Sequence, residues 1–151
     1  MYRKLLVPLD GSEYSECTLD HVRQVVTAHK IEEVVLLTVV EPLRRSAVVY
    51  LTEESVEEVE KLGRSSLNEY LQSTVRKLDL PAHVSTELVT GQPASEILDY
   101  IDKKGIDLVL MSTHGRSGPS RWLMGSTAER VLQRSPVPVL LIPSVVCRMS
   151  A

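Results

Sequence analysis

MSTHGRSGPSRWLMGS, spanning Met111–Ser126, sets three glycines and several small hydroxyl residues between the apolar run DLVLM and the helix-like run TAERVLQRS. Glycine lets backbone N–H groups approach an anion without a Cβ in the way. The helix after Gly125 would add unpaired N–H groups and the positive end of its dipole. Ser126 and Thr127 would contribute hydroxyls there, and Arg116 and Arg121 positive charge. The competing reading is a long turn, in which the glycines only reverse the chain and Ser126 only caps a helix. A second stretch, VPLDGSEYS, ends an apolar run in Asp10, Gly11 and Ser12. It suits either a ligand contact or an acidic turn capping the next helix. Neither GxxxxGK[ST] nor GxGxxG after the first strand is present, so a nucleotide would need another cradle. No GxSxG elbow supports a hydrolase triad from Asp10, His114 and Ser126.

The elements that must position these residues alternate along the chain. Strands are predicted over Lys4–Leu9, Glu33–Val40, Ala82–Val89, Asp107–Met111 and Val137–Ile142. Helices are predicted from Ser12 to His29, from Thr52 to about Leu78, over Pro93–Lys104 with Gly105 closing it, and over Met124–Arg134. The long helix starts either at a Ser55–Glu58 capping box or at Thr52. Its acidic stretch Glu53–Glu60 reads as a solvated face. The apolar run Val48–Leu51 reads as a short packed extension ahead of that helix. Five strands joined by helices imply a single-domain α/β fold, residues 1–151, with an open parallel sheet covered on both faces. HVSTELVT alternates like an edge strand, whereas strands one, two and four are almost wholly apolar. Right-handed crossovers then favour the order 3-2-1-4-5. That order brings the ends of strands one and four, hence both unusual stretches, to one crevice.

Composition narrows the function classes. A hydrophobic content of 43%, a charged content of 25% and a net charge of −3 fit a globular protein with no electrostatic call for nucleic acid. No apolar run approaches the roughly 18 residues needed to cross a membrane. The N-terminus lacks the run of a signal peptide. Cys17 and Cys147 form no CxxC or metal cluster, so a reduced, cytoplasmic protein is expected.

STHG, then the nine residues RSGPSRWLM, then GS and AERVLQRSPVPVLLIP resemble the nucleotide-binding signature of the universal stress protein family. That signature reads G-x-x-G, nine residues, then G with Ser or Thr. KLLVPLDGSEYS, EVVLLTVVE and GQPASEILDYI extend the resemblance over nearly the whole chain. It implies the same Rossmann-like, adenine nucleotide alpha hydrolase-like fold and ATP as ligand. Pro8, Leu9 and Asp10 would follow strand one, and Val39 would offer backbone hydrogen bonds to adenine. Met111, Ser112 and His114 would lie close by, and Gly115, Arg116, Gly118, Gly125, Ser126 and Thr127 at the phosphates. Asp10 would also neighbour a Mg2+ or Mn2+ ion. The chain departs from the signature at its first glycine, which is Ser112 here.

The leading expectation is an ATP-binding regulatory module of the stress response. A dimeric interaction scaffold that binds no nucleotide stays open because of Ser112. A slow ATP hydrolase or phosphotransferase using Asp10 and the loop hydroxyls is the other alternative. With no P-loop lysine and no evident base, hydrolysis would be slow or partner-dependent. The apolar fifth strand, an edge in this order, implies a covering partner. The resemblance implies the same, a homodimer joined through Val137–Ile142. Trp122 is expected to pack as an anchor in the glycine loop.

Overall fold

Strands β1 (Lys4–Pro8), β2 (Glu33–Val40), β3 (His83–Thr90), β4 (Leu108–Ser112) and β5 (Val139–Ile142) form one parallel sheet, in the order β3-β2-β1-β4-β5. The computed structural model describes residues 1–44, 49–114, 124–143 and 145–146. Gly115, Arg116, Gly118, Arg121, Trp122 and Val48 lie outside them. The helices are α1 (Glu13–Glu16), α2 (Thr18–His29), α3 (Glu53–Leu78), α4 (Pro93–Lys104) and α5 (Ser126–Arg134). Alternate strand residues feed two apolar layers. Leu5, Val7, Leu36 and Leu110 meet Val22 and Val26 of α2 and Leu71 and Leu78 of α3. Leu6, Val35, Leu37 and Val109 meet Ile97 and Ile101 of α4 and Val131 of α5. The order predicted from the apolar patterning is the one observed.

Element ends differ from expectation for local reasons. The first helix breaks at Cys17, which closes α1 and opens α2. Ser15 Oγ donates to the Ser12 carbonyl at 3.0 Å and Thr18 Oγ1 to the Ser15 carbonyl at 2.6 Å. Such local bonds compete with the helical ladder. Thr52, not Ser55, caps α3, accepting from the Ser55 N–H at 3.2 Å. Gly105 ends α4 in the left-handed region, with φ +63°. β5 starts at Val139 rather than Val137, because Pro136 and Pro138 have no N–H to donate. Helix α5 starts at Ser126 rather than Met124. The extension at Val49–Leu51 is not packed: all three side chains are exposed.

Cys17 is disulfide-bonded, against the expectation of a free thiol. Val146 packs on the same apolar layer as Cys17. Cys147 itself lies outside the described residues. Among those residues no helix is long and apolar enough to cross a membrane.

The sheet is pinned at its amino-terminal side by Asp107. Its carboxylate accepts from the N–H groups of Arg3 and Lys4, both at 2.9 Å. The Arg3 and Lys4 amides hold its pKa below the ordinary 3.8, against a smaller opposing effect of burial. A lowered folded pKa means stability that is full above the unfolded value and lost as pH falls through the folded one. Asp107→Ala should therefore cost about 1–2 kcal/mol near neutral pH. In urea titrations the gap between the two proteins should narrow as pH falls below about 4. A gap independent of pH would exclude the carboxylate as its source.

Candidate functional site

The site forms where β1 stops being paired. Successive residues of a parallel strand turn their N–H and C=O groups to opposite neighbours. Lys4 faces β4, since its carbonyl accepts from the Asp107 N–H at 3.0 Å, and Leu9 faces β2, donating to the Leu37 carbonyl at 2.8 Å. Pro8 therefore faces β4 and has no N–H to give it, and the β1–β4 register ends at Leu6↔Val109. On the other edge the β1–β2 register ends at Pro8↔Leu37. β2 continues to Val40, because β3 still pairs along its outer edge. The Val40 carbonyl accepts from the Gly91 N–H on that outer side at 3.0 Å. Val39, its predecessor, thus turns one donor and one acceptor toward the space that β1 has left.

Beyond β1 the chain makes a tight acidic turn. Asp10 Oδ1 accepts from the Ser12 N–H at 2.9 Å. Gly11 takes φ +79°, and Ser12 caps α1 by accepting from the Ser15 N–H at 3.2 Å. The capping role belongs to Ser12, and Asp10 shapes the turn before it.

Opposite, Ser112 ends β4 with only 7% of its surface exposed. Among the described residues, positive φ outside glycine occurs only at Lys30 and Asp79, so a side chain at position 112 is sterically ordinary. Its hydroxyl donates to the His114 carbonyl at 2.6 Å, and Thr113 Oγ1 and His114 Nδ1 share a hydrogen bond of 2.9 Å. Thr113 joins three segments. Its N–H donates to the Ile142 carbonyl at 3.0 Å and its carbonyl accepts from the Gly125 N–H at 2.8 Å. The two ends of the glycine loop are thereby tied together. Gly125 occupies the N-cap position of α5 and supplies no side-chain bond to the helix. The first-turn N–H groups of α5 thus have no cap from that residue, and the Ser126 cap of the turn-only reading is not formed.

These elements enclose a pocket of about 480 Å³, inside the roughly 300–1,000 Å³ of small-molecule sites. Of the residues singled out from sequence, Pro8, Leu9, Asp10, Val39, Met111, Ser112, His114, Gly125, Ser126 and Thr127 line it. Thr113, in the STHG stretch expected at this end of strand four, lines it too, whereas sequence reasoning missed Glu41, Leu67, Pro93 and Ile97. Leu67 could have been found by period, as the turn before the buried Leu71, Thr74 and Leu78. Pro93 and Ile97 open α4 just after β3, at the same end of the sheet. No lysine or arginine belongs to the described lining, whose acidic side chains are Asp10 and Glu41.

A Cβ on Gly125 would sit 2.9 Å from the Thr113 carbonyl oxygen, whereas one on Gly63, inside α3, would meet nothing within 4 Å. Gly125→Ala should thus destabilise by about 1–3 kcal/mol. Gly63→Ala should stabilise by about 0.5–1 kcal/mol. Urea midpoints of the two variants measured side by side check the contrast, and equal shifts would contradict it.

Comparison with known proteins agrees with this geometry. The profile described as the universal stress protein family matches residues 1–143. Universal stress protein MJ0577 of Methanocaldococcus jannaschii is 32% identical, over 94% of this chain and 95% of its own. The solved structure of MJ0577 superposes with a TM-score of 0.82, covering 95% of this chain and 96% of that one. More distant structures share the fold. One is a universal stress protein in complex with cAMP, at 20% identity and TM-score 0.69 over 95% of this chain and 98% of that one. Another is an Arabidopsis thaliana family member with AMP bound, at 15% identity and TM-score 0.66 over 93% and 91%. By profile, relatives and fold alike, the chain belongs to the universal stress protein family.

Proposed function

We propose that the pocket binds an adenine nucleotide, ATP in particular, and that the protein acts as a nucleotide-responsive regulatory module of stress physiology. The observation that carries this reading is the pairing of two main-chain features across one cavity. At one wall Val39 turns an N–H and a C=O toward the space vacated by β1. Adenine carries the matching pair, an acceptor at N1 beside a donor at the 6-amino group. At the other wall α5 begins at a glycine with no side-chain cap, a natural seat for phosphate oxygens. Relatives of the same fold are complexed with cAMP and AMP, which supports the adenine part of the reading.

The acidic lining adds a condition. With Asp10 and Glu41 beside the cavity, a triphosphate needs its charge offset. A divalent cation bound mainly by phosphate oxygens and one carboxylate, that of Asp10, would do so, with Arg116 a further source of charge. Mass spectrometry of small molecules released on denaturation, with calorimetric titration of the stripped protein, tests the whole reading. The expected outcome is released adenine nucleotide or micromolar ATP binding, weakened by chelation of divalent ions and lost in Gly125→Val. No nucleotide and no binding heat, with or without magnesium, would return the protein to the scaffold alternative.

The edge strand supports a homodimer. Among the described residues β5 pairs only with β4, and Leu140 on it is 40% exposed. An apolar open edge invites a second chain. A two-fold partner pairing along the same strand would close it without leaving a new edge. Sedimentation analysis should give a dimer for the natural chain and a folded monomer for Leu140→Glu. A natural chain that sediments as a monomer at micromolar concentration would remove the dimer.

A further inference from the structure

Thr38 stands on β2 between Leu37, the last residue paired with β1, and Val39, whose main chain faces the pocket. It is fully buried, on the same side of the strand as Leu36 and in the layer formed with α2 and α3. A hydroxyl in such surroundings is unfavourable unless it is bonded. Its bond is to the main chain: Thr38 Oγ1 donates to the Leu9 carbonyl at 2.8 Å.

That carbonyl is where the next rung of the β1–β2 ladder would form. A parallel ladder carried one step beyond the Leu9 N–H to Leu37 carbonyl bond would bring the Val39 N–H onto the Leu9 carbonyl. The register stops before that step. Leu9 is 3% exposed, so its carbonyl depends on a protein donor. The hydroxyl of Thr38 supplies one from the side.

We propose that Thr38 is a positioning residue for nucleotide recognition: its hydroxyl takes the Leu9 carbonyl in place of the Val39 N–H, ends the ladder one rung early and keeps the Val39 amide for the base of the ligand. The proposal rests on the nucleotide reading above. The same bond holds the residue from which Asp10 departs. Without it, the Leu9 carbonyl would have to go unpaired or recruit the Val39 N–H, and the second choice closes the base-binding edge.

Thr38→Val replaces the hydroxyl by a methyl at nearly constant volume, Thr38→Ser keeps the hydroxyl, and Thr38→Ala serves if the valine protein is unstable. Amide hydrogen exchange at Val39, read by NMR without ligand, should be fast in the natural protein and in Thr38→Ser. In Thr38→Val it should slow at least about tenfold, as the amide is captured by Leu9. Calorimetry should show ATP affinity falling by about three- to tenfold in Thr38→Val and restored in Thr38→Ser. Inorganic triphosphate, which has no base, should bind all the proteins alike. A Val39 amide already protected in the ligand-free natural protein would overturn the proposal. So would ATP and triphosphate weakening together, which is the mark of general loosening. ATP binding unchanged by valine removes the role of Thr38 alone. A natural chain that binds no adenine nucleotide overturns the underlying reading and this role together.

Discussion

β1 is enclosed on every side, with strands on both edges, helices on both faces and Leu5, Leu6 and Val7 fully buried. The N–H and C=O groups of these buried residues need protein partners, and the main chains of β2 and β4 flank them on either edge. While β1 runs, both neighbours must run beside it. When it stops, each neighbour keeps its outer partner and loses its inner one. β2 goes on to Val40 along β3, and β4 goes on to Ser112 along β5. The crevice is the interval in which two inner edges are open at once. Its position follows from where β1 loses its pairing, and that is set by a proline on one edge and a threonine hydroxyl on the other.

The two walls of the pocket rely on different physics. The wall at Val39 is an interrupted ladder, offering a fixed donor and acceptor whose spacing comes from strand geometry. The wall at α5 is an uncapped helix start, offering N–H groups and a dipole that favour negative charge without dictating a shape. Gly125 holds that start against the end of β4 by giving its N–H to the Thr113 carbonyl, an approach that leaves no room for a Cβ. The described lining contains no lysine or arginine. Among the described residues, what this wall presents to the pocket is the main chain of the α5 start with the side chains of Ser126 and Thr127.

Much of this was legible in the sequence. Glu33–Val40 and Pro93–Lys104 have the bounds that their patterning predicts, and the alternation in HVSTELVT marked β3 as an edge. Pro8 and Gly125 were visible as residues that restrict or free the backbone. What was not legible depends on contacts between distant segments. Thr38 looks like an ordinary β-branched strand residue until Leu9 is placed beside it. Leu67 follows the helical period of α3, but that period does not say that it borders the pocket. The break at Cys17 comes from hydroxyl bonds among Ser12, Ser15 and Thr18, which compete with a helix that propensity alone would continue. The disulfide state of Cys17 is likewise a matter of a distant contact, which no local pattern records.

Ser112 is the residue at which the chain departs from its family signature, and the fold accounts for it. A glycine is favoured where φ is positive and needed where a Cβ has no space, as at Gly11 and Gly125 respectively. Position 112 meets neither condition on the backbone side, being the last residue of a strand paired in register with Ile142. Serine there adds a bond, to the His114 carbonyl, at the corner where β4 turns into the loop. A glycine at this corner would leave that carbonyl to another donor and the corner itself less constrained. Serine exchanges backbone freedom for a fixed turn, and does so while its hydroxyl is engaged with the protein. The substitution leaves intact the Gly125 N–H to Thr113 carbonyl bond that ties the start of α5 to the end of β4.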